Sequence, residues 1–132
     1  MKFFSFFFFL LFVGSSFAQR SCKVTVNVRF DNINDGYDHV TKTQIFIDGK
    51  LIKESGEHKE SEPNSFKLKV PRGEHELKIV NLTLYKGKWE ETKVENEYSI
   101  DAFYESKIHF KKKKTINVLF DIDQRNPVVD YQ

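Results

Sequence analysis

Between Cys22 and Phe30 the chain reads C-K-V-T-V-N-V-R-F. Val24, Val26, Val28 and Phe30 share one parity, and Lys23, Thr25, Asn27 and Arg29 the other. Side chains of a strand alternate between its two faces, so this pattern describes a half-buried β-strand rich in β-branched residues. The alternation returns in Phe66-Lys67-Leu68-Lys69-Val70 and in Thr115 to Phe120, where Ile116, Val118 and Phe120 share a parity. Turn signals lie between such runs. Asp48-Gly49-Lys50 separates Ile45-Phe46-Ile47 from Leu51-Ile52, and Asp-Gly in that setting predicts a hairpin because glycine accepts the positive φ required. Pro71-Arg72-Gly73 precedes the densest apolar run, Glu76 to Leu84, and Tyr85 to Trp89 reads as a second hairpin connection with a three-residue loop. Trp89 to Ile100 reads as a polar edge strand. A turn of helix is arguable only in Ala102 to Phe110. About seven short strands predict an all-β fold, a single small antiparallel β-sandwich.

The start of the chain is of another kind. Lys2 is followed by an apolar run from Phe3 to Val13, then by small residues at Ser16 and Ala18 ahead of the polar Gln19-Arg20. That order predicts a secretory signal peptide, residues 1–18, cleaved after Ala18. The run is shorter than the ~20 apolar residues that span a bilayer, so no transmembrane anchor is expected. Eight of the 14 Phe belong to this leader. Residues 19–132 then form one domain, long enough for a disulfide-free core, with a secreted or periplasmic location. Without Lys2, 20 Lys and Arg face 19 Asp and Glu, and no net field favours nucleic acid. Cys22 is the single cysteine and has no internal disulfide partner. It is a free thiol, an intermolecular link or, less simply, a lipid attachment point. Glu54 to Ser65 is charged, contains Gly and Pro, and is expected as a loop; Arg125 to Gln132 is expected to fray.

Candidate sites are few. His75 stands between Glu74 and Glu76, but in a strand those carboxylates face away from it, so the expectation is a strand-entry histidine beside the core. Asp31, Asp35 and Asp38 are the candidate calcium ligands. An EF-hand register would put Ile33 and Lys42 at positions that need oxygen ligands, which leaves an irregular loop site or a plain Asn/Asp/Gly turn. Tyr85 and Trp89 could face each other across a hairpin, as a sugar-stacking platform or as an ordinary cross-strand pair. The lysines from Lys111 to Lys114 read as a solvated turn, with contact to an anionic surface as the alternative. Asn81-Leu82-Thr83 fits the N-glycosylation pattern but falls within a strand. His39, His58, His75 and His109 are scattered, and no nucleophile, zinc or phosphate-loop motif is present, so no catalytic residue and no cofactor are expected.

The stretch "IFIDGKLI", a loop, and "FKLKVPRGEHELKIVNLTLY" resembles the PEGA domain, a small β-sandwich of surface proteins. Asp48, Gly49, Lys50, Pro71, Gly73 and His75 match its turns, and Tyr85 its aromatic position, over roughly residues 44–85. The chain differs in having Thr41 to Gln44 where that family has Pro-Glu-Gly-Ala. The resemblance implies a structural or interaction-mediating role without catalytic residues. The reading is therefore a secreted or envelope-associated, non-catalytic β-sandwich whose partner is an unknown protein or surface polysaccharide of the envelope. The alternative is a carbohydrate- or calcium-binding module, with a small hydrolase the least favoured.

Overall fold

The computed structural model describes residues 20–132, so the leader expected over residues 1–18 lies outside the described residues. The described chain is all-β. Its strands are β1 (Ser21–Asp31), β2 (Val40–Ile47), β3 (Lys50–Glu54), β4 (His58–Lys59), β5 (Asn64–Pro71), β6 (Gly73–Tyr85), β7 (Lys88–Glu91), β8 (Phe103–Phe110), β9 (Lys113–Asp121) and β10 (Val128–Tyr131). One sheet has the order β10-β9-β1-β5. In the other, β2 and the long β6 are central, β3 and β4 pair with the free side of β2, and β7 and β8 with the free side of β6.

The core follows from the alternation. Val24, Val26, Val28 and Phe30 of β1 are buried, as are Phe66, Leu68 and Val70 of β5 and Ile116, Val118 and Phe120 of β9. They meet Ile45, Ile47, Leu77, Ile79, Ile108 and Phe110 of the second sheet in one apolar cluster. Phe30 and Phe120 lie with ring centroids 5.2 Å apart. Full burial of such a side chain contributes about 1.5–3 kcal/mol, so a core of this size can stand without a disulfide. Cys22 belongs to it. The thiol is fully buried, and burial pushes its pKa up. An intermolecular disulfide or a lipid on Cys22 therefore requires the start of β1 to open.

Several expectations are revised. Ten strands replace about seven among the described residues, because short pieces share a side of β2 and of β6. The sandwich is not purely antiparallel: β1 runs parallel to β9, with Lys23 opposite Lys113 and Asp31 opposite Asp121. Alternation within a strand marks its buried face but says nothing about its neighbour's direction. The expected loop over Glu54 to Ser65 contains β4, and the expected frayed tail contains β10, whose Val129 packs against the core. Of the stretch from Ala102 to Phe110, Phe103–Phe110 is strand rather than helix, with Ile108 and Phe110 directed into the core. The 3-10 turn instead occupies Val94–Asn96, within the stretch expected as an edge strand.

Both hairpin turns form where glycine signalled them, each over two residues of positive φ. Asp48 (50°) and Gly49 (80°) link β2 to β3, and Lys86 (49°) and Gly87 (77°) link β6 to β7. These are the paired left-handed conformations that match the right-handed twist of flanking strands. Asp48 also reaches across to β6. Its carboxylate accepts a bond from the Glu76 amide (2.9 Å) and contacts Nδ1 of His75 (2.6 Å). The Glu76 bond first, then His75, hold the Asp48 carboxyl below the usual carboxylate range. His75 packs on Phe110, centroids 6.1 Å apart, and its Nε2 is buried. Glu74 and Glu76 stand on the opposite face, so His75 fastens a turn to a strand.

Candidate functional site

Toward the ends of β1 and β9 marked by Asp31 and Asp121, the inner face of the second sheet changes character. Leu77 and Ile79 give way on the same parity to Asn81 and Thr83, and Ile45 and Ile47 to Thr43 and Thr41; all four polar residues are fully buried. Buried polar groups are costly unless bonded; Thr41 Oγ1 meets His58 Nε2 (3.5 Å), and the other three are joined in one network. Thr43 Oγ1 donates to Asn81 Oδ1 (3.2 Å), Asn81 Nδ2 donates to Thr92 Oγ1 (2.9 Å), and the hydroxyls of Thr92 and Thr83 lie 2.6 Å apart. Asn81 also joins the ends of β7 and β8, its amide donating to Ala102 and its carbonyl accepting from Thr92. The side chain of the Asn-Leu-Thr motif is thus enclosed in the fold.

Beside this network lies a cleft of about 190 Å³. Its walls come from the β1–β2 connection (Tyr37, His39), the tip of β6 (Tyr85) and the segment after β7 (Tyr98), with Glu60 and Glu90 among the lining groups. His39 holds the rings together, edge-on to Tyr98 at 5.6 Å and to Tyr37 at 6.4 Å. Tyr37 is 63% exposed and Tyr85 52%, so both present ring surface to solvent. Tyr98 is anchored, its hydroxyl donating to Glu90 Oε1 (2.6 Å); burial, then this bond, raises the phenol's pKa.

Glu60 is only 4% exposed. Its backbone amide bonds to the His39 carbonyl, and its Oε1 lies 3.3 Å from His39 Nδ1. Burial first, and the charge of Asp38 second, push its carboxyl up to about 7. A group with this titration in a cleft is a marker of functional sites. Here it also fastens the β1–β2 connection to β4. Protonated Glu60 can donate to Nδ1, and ionised Glu60 can accept from an Nδ1–H, so the contact survives either state.

The candidate calcium loop is organised differently. Both Asp38 oxygens are bonded by Ser61, from its amide (3.0 Å) and its hydroxyl (2.6 Å). Burial opposes ionisation, yet these bonds hold the Asp38 carboxyl below its ordinary range. Asp31 extends β1, and its carbonyl accepts from the Ile122 amide. Among the described residues no three His, Cys, Asp or Glu are grouped to hold a metal, so Asp31, Asp35 and Asp38 are not drawn together.

Tyr85 and Trp89 are also kept apart. The register pairs Tyr85 with Lys88 and Leu84 with Trp89, which puts the two rings on opposite faces of the hairpin. Tyr85 turns to the cleft, while Trp89 carries the Lys42 ammonium 4.5 Å from its ring centroid. The difference is one residue of loop: two positive-φ residues close the turn, so the pairing shifts by one. His39, Glu60, Tyr37 and Tyr98 were not legible as a site. The available signal was the buried Thr and Asn parity of Thr41-x-Thr43 and Asn81-x-Thr83, polar residues placed where the alternation calls for core.

No family model and no curated protein matches the chain. Among solved structures it is similar to a Gram-negative toxin (8% identity, TM-score 0.38, 86% of this chain and 23% of the toxin). It is also similar to the human-specific toxin intermedilysin (10%, 0.39, 86% and 23%) and to pneumolysin (14%, 0.37, 86% and 24%). The chain thus spans about a quarter of the length of these toxins, and at such TM-scores the likeness carries no argument for it.

Proposed function

We propose that the protein is exported, is cleaved after Ala18, and serves as a non-catalytic β-sandwich that contacts a protein or polysaccharide of the cell envelope. Its binding surface is the tyrosine-lined cleft. The observation that carries this reading is the pairing of exposed Tyr37 and Tyr85 with a wall fixed by His39, Tyr98 and Glu60. Exposed rings on a rigid support supply contact area at low entropic cost. The leader signature supports export. Among the described residues no helix is long and apolar enough to cross a membrane. The non-catalytic role is supported by the resemblance to the PEGA domain.

A second reading, a carbohydrate-binding module, is favoured by the two tyrosine faces, which can stack on sugar C–H surfaces. Intact-mass analysis of secreted material tests export: a mature chain beginning at Gln19 is expected, and retained Phe17-Ala18 or a lipid on Cys22 contradicts it. Binding of the mature protein to fractionated envelope polysaccharide and envelope protein tests the cleft. Tyr37→Ala with Tyr85→Ala should abolish retention and leave the melting temperature near that of the parent. Unchanged retention rejects the cleft.

A further inference from the structure

At the end of the sandwich away from the cleft, β3 at the edge of one sheet comes alongside β5 at the edge of the other. A groove of about 530 Å³ there is lined by residues of β1, β3, β5 and β9. Five of its nine lining residues are lysines, Lys23, Lys53, Lys67, Lys69 and Lys113, and none is acidic or aromatic. The register sets three of them in one row across three strands, with Lys69 opposite Lys23 and Lys23 opposite Lys113. Adjacent strands lie about 4.8 Å apart, and like charges directly opposite destabilise a sheet. None of the five is in an ion pair among the described residues. The carboxylate on β3, Glu54, is turned instead to Lys42 (3.5 Å) and to Gln44 (2.6 Å).

Lysines on an edge strand have an ordinary role, since they keep it from pairing with another chain. That accounts for Lys67 and Lys69 on β5. It does not account for Lys23, because β1 is flanked by β9 and β5 on both sides. The near-balanced formal charge of +2 therefore conceals a separation. The β1–β9 pair begins at Lys23 and Lys113 and ends eight residues later at Asp31 and Asp121, about 26 Å away at 3.3 Å per residue.

We infer that this groove is a second binding surface, for a linear polyanionic polysaccharide. The groove presents five cations and, among them, the hydroxyl of Thr25 to bond sugar hydroxyls, with Val24, Ile52 and Leu68 completing its lining. A bilayer calls for several apolar side chains that insert together, and of the apolar residues in this lining Val24 and Leu68 are buried and Ile52 alone is exposed. Single-stranded nucleic acid calls for aromatic stacking platforms, and no aromatic lines this groove. Binding of a polyanion relieves the repulsion along Lys69, Lys23 and Lys113 and releases its counterions, so affinity falls steeply with added salt.

The test is titration of the mature protein with polygalacturonate as carboxylated probe and heparin as sulfated probe. Neutral dextran, vesicles of equal parts phosphatidylcholine and phosphatidylserine, and a duplex oligonucleotide serve as comparisons. The expected result is salt-sensitive binding of one or both polyanionic polysaccharides, absent with dextran. The Lys23→Gln/Lys69→Gln/Lys113→Gln variant should lose about tenfold or more in affinity, since three of the five cations that neutralise the polyanion are gone. A Lys86→Gln/Lys88→Gln control, which removes cations at the other end, should change affinity by less than about twofold. The triple variant should also be no less stable to urea, because it relieves a like-charge row. No binding at low ionic strength, equal losses in variant and control, or tighter binding of the vesicles or the duplex would overturn the inference. The tyrosine substitutions in the cleft leave this surface intact, so the two sites fail or succeed separately.

Discussion

Among single residues, Glu60 is the group that makes the molecule sensitive to pH. Its folded pKa of about 7 lies above the ordinary carboxylate value of 4.5. Between those values the native state holds a proton that the unfolded chain has released. The contribution of Glu60 to stability is thus fully present below about pH 4.5 and is lost as pH rises toward 7. The difference sets a ceiling of roughly 3–4 kcal/mol, at 1.36 kcal/mol per unit. Urea midpoints measured from pH 4.5 to 8 should decline through this window, and Glu60→Gln should flatten the decline; a parent whose midpoint rises across it would contradict the assignment. His75 works by contact instead. Replacing it with Ala removes the Asp48 bond and the packing on Phe110, and should cost about 1–2 kcal/mol. Gly73 has φ of 120°, and a methyl group added there would meet only open space. Gly73→Ala therefore loses about 1 kcal/mol or more through backbone strain alone. Unchanged urea midpoints in both variants would reopen His75 as a binding residue.

Among the elements, what was legible is whatever a strand states about itself. Buried parity in β1, β5 and β9 and the Asp48-Gly49 turn follow directly from the order of residues. What was not legible depends on partners remote in sequence. The parallel pairing of β1 with β9 joins positions some ninety residues apart, and nothing in Val24 to Phe30 specifies that direction. β10 is the clearest case. Val128 to Tyr131 falls in the tail expected to fray, yet it pairs antiparallel with Ile116 to Leu119, and Gln132 exchanges two backbone bonds with Thr115 (2.7 and 2.8 Å). Truncation after Asn126 should lower the urea midpoint and, by leaving β9 unpaired on one side, promote association at high concentration. Sedimentation and urea titration together check this. A truncated chain as stable and as monodisperse as the parent would show that β10 adds nothing.

As a whole, the sandwich has two dissimilar ends. One end gathers tyrosines over a buried Glu–His contact; the other lines up lysines along a groove. Composition hides both, because aromatic residues are concentrated in the leader and the charges nearly cancel. Tyr85 stands out in the sequence, but its companions do not. Tyr37, His39, Glu60 and Tyr98 come from three separate connections, and only the closed sheets bring them together. If this cleft is where the protein meets its partner, its tyrosines must hold that partner when charge is screened. That is read from retention of envelope material by immobilised mature protein at 1 M salt, where screening acts within about 3 Å and the lysine groove is silent. The parent and the Lys23→Gln/Lys69→Gln/Lys113→Gln variant should retain the same material, and Tyr37→Ala/Tyr85→Ala, folded to the same melting temperature, should retain none. Equal retention by the tyrosine variant would contradict the assignment of the cleft.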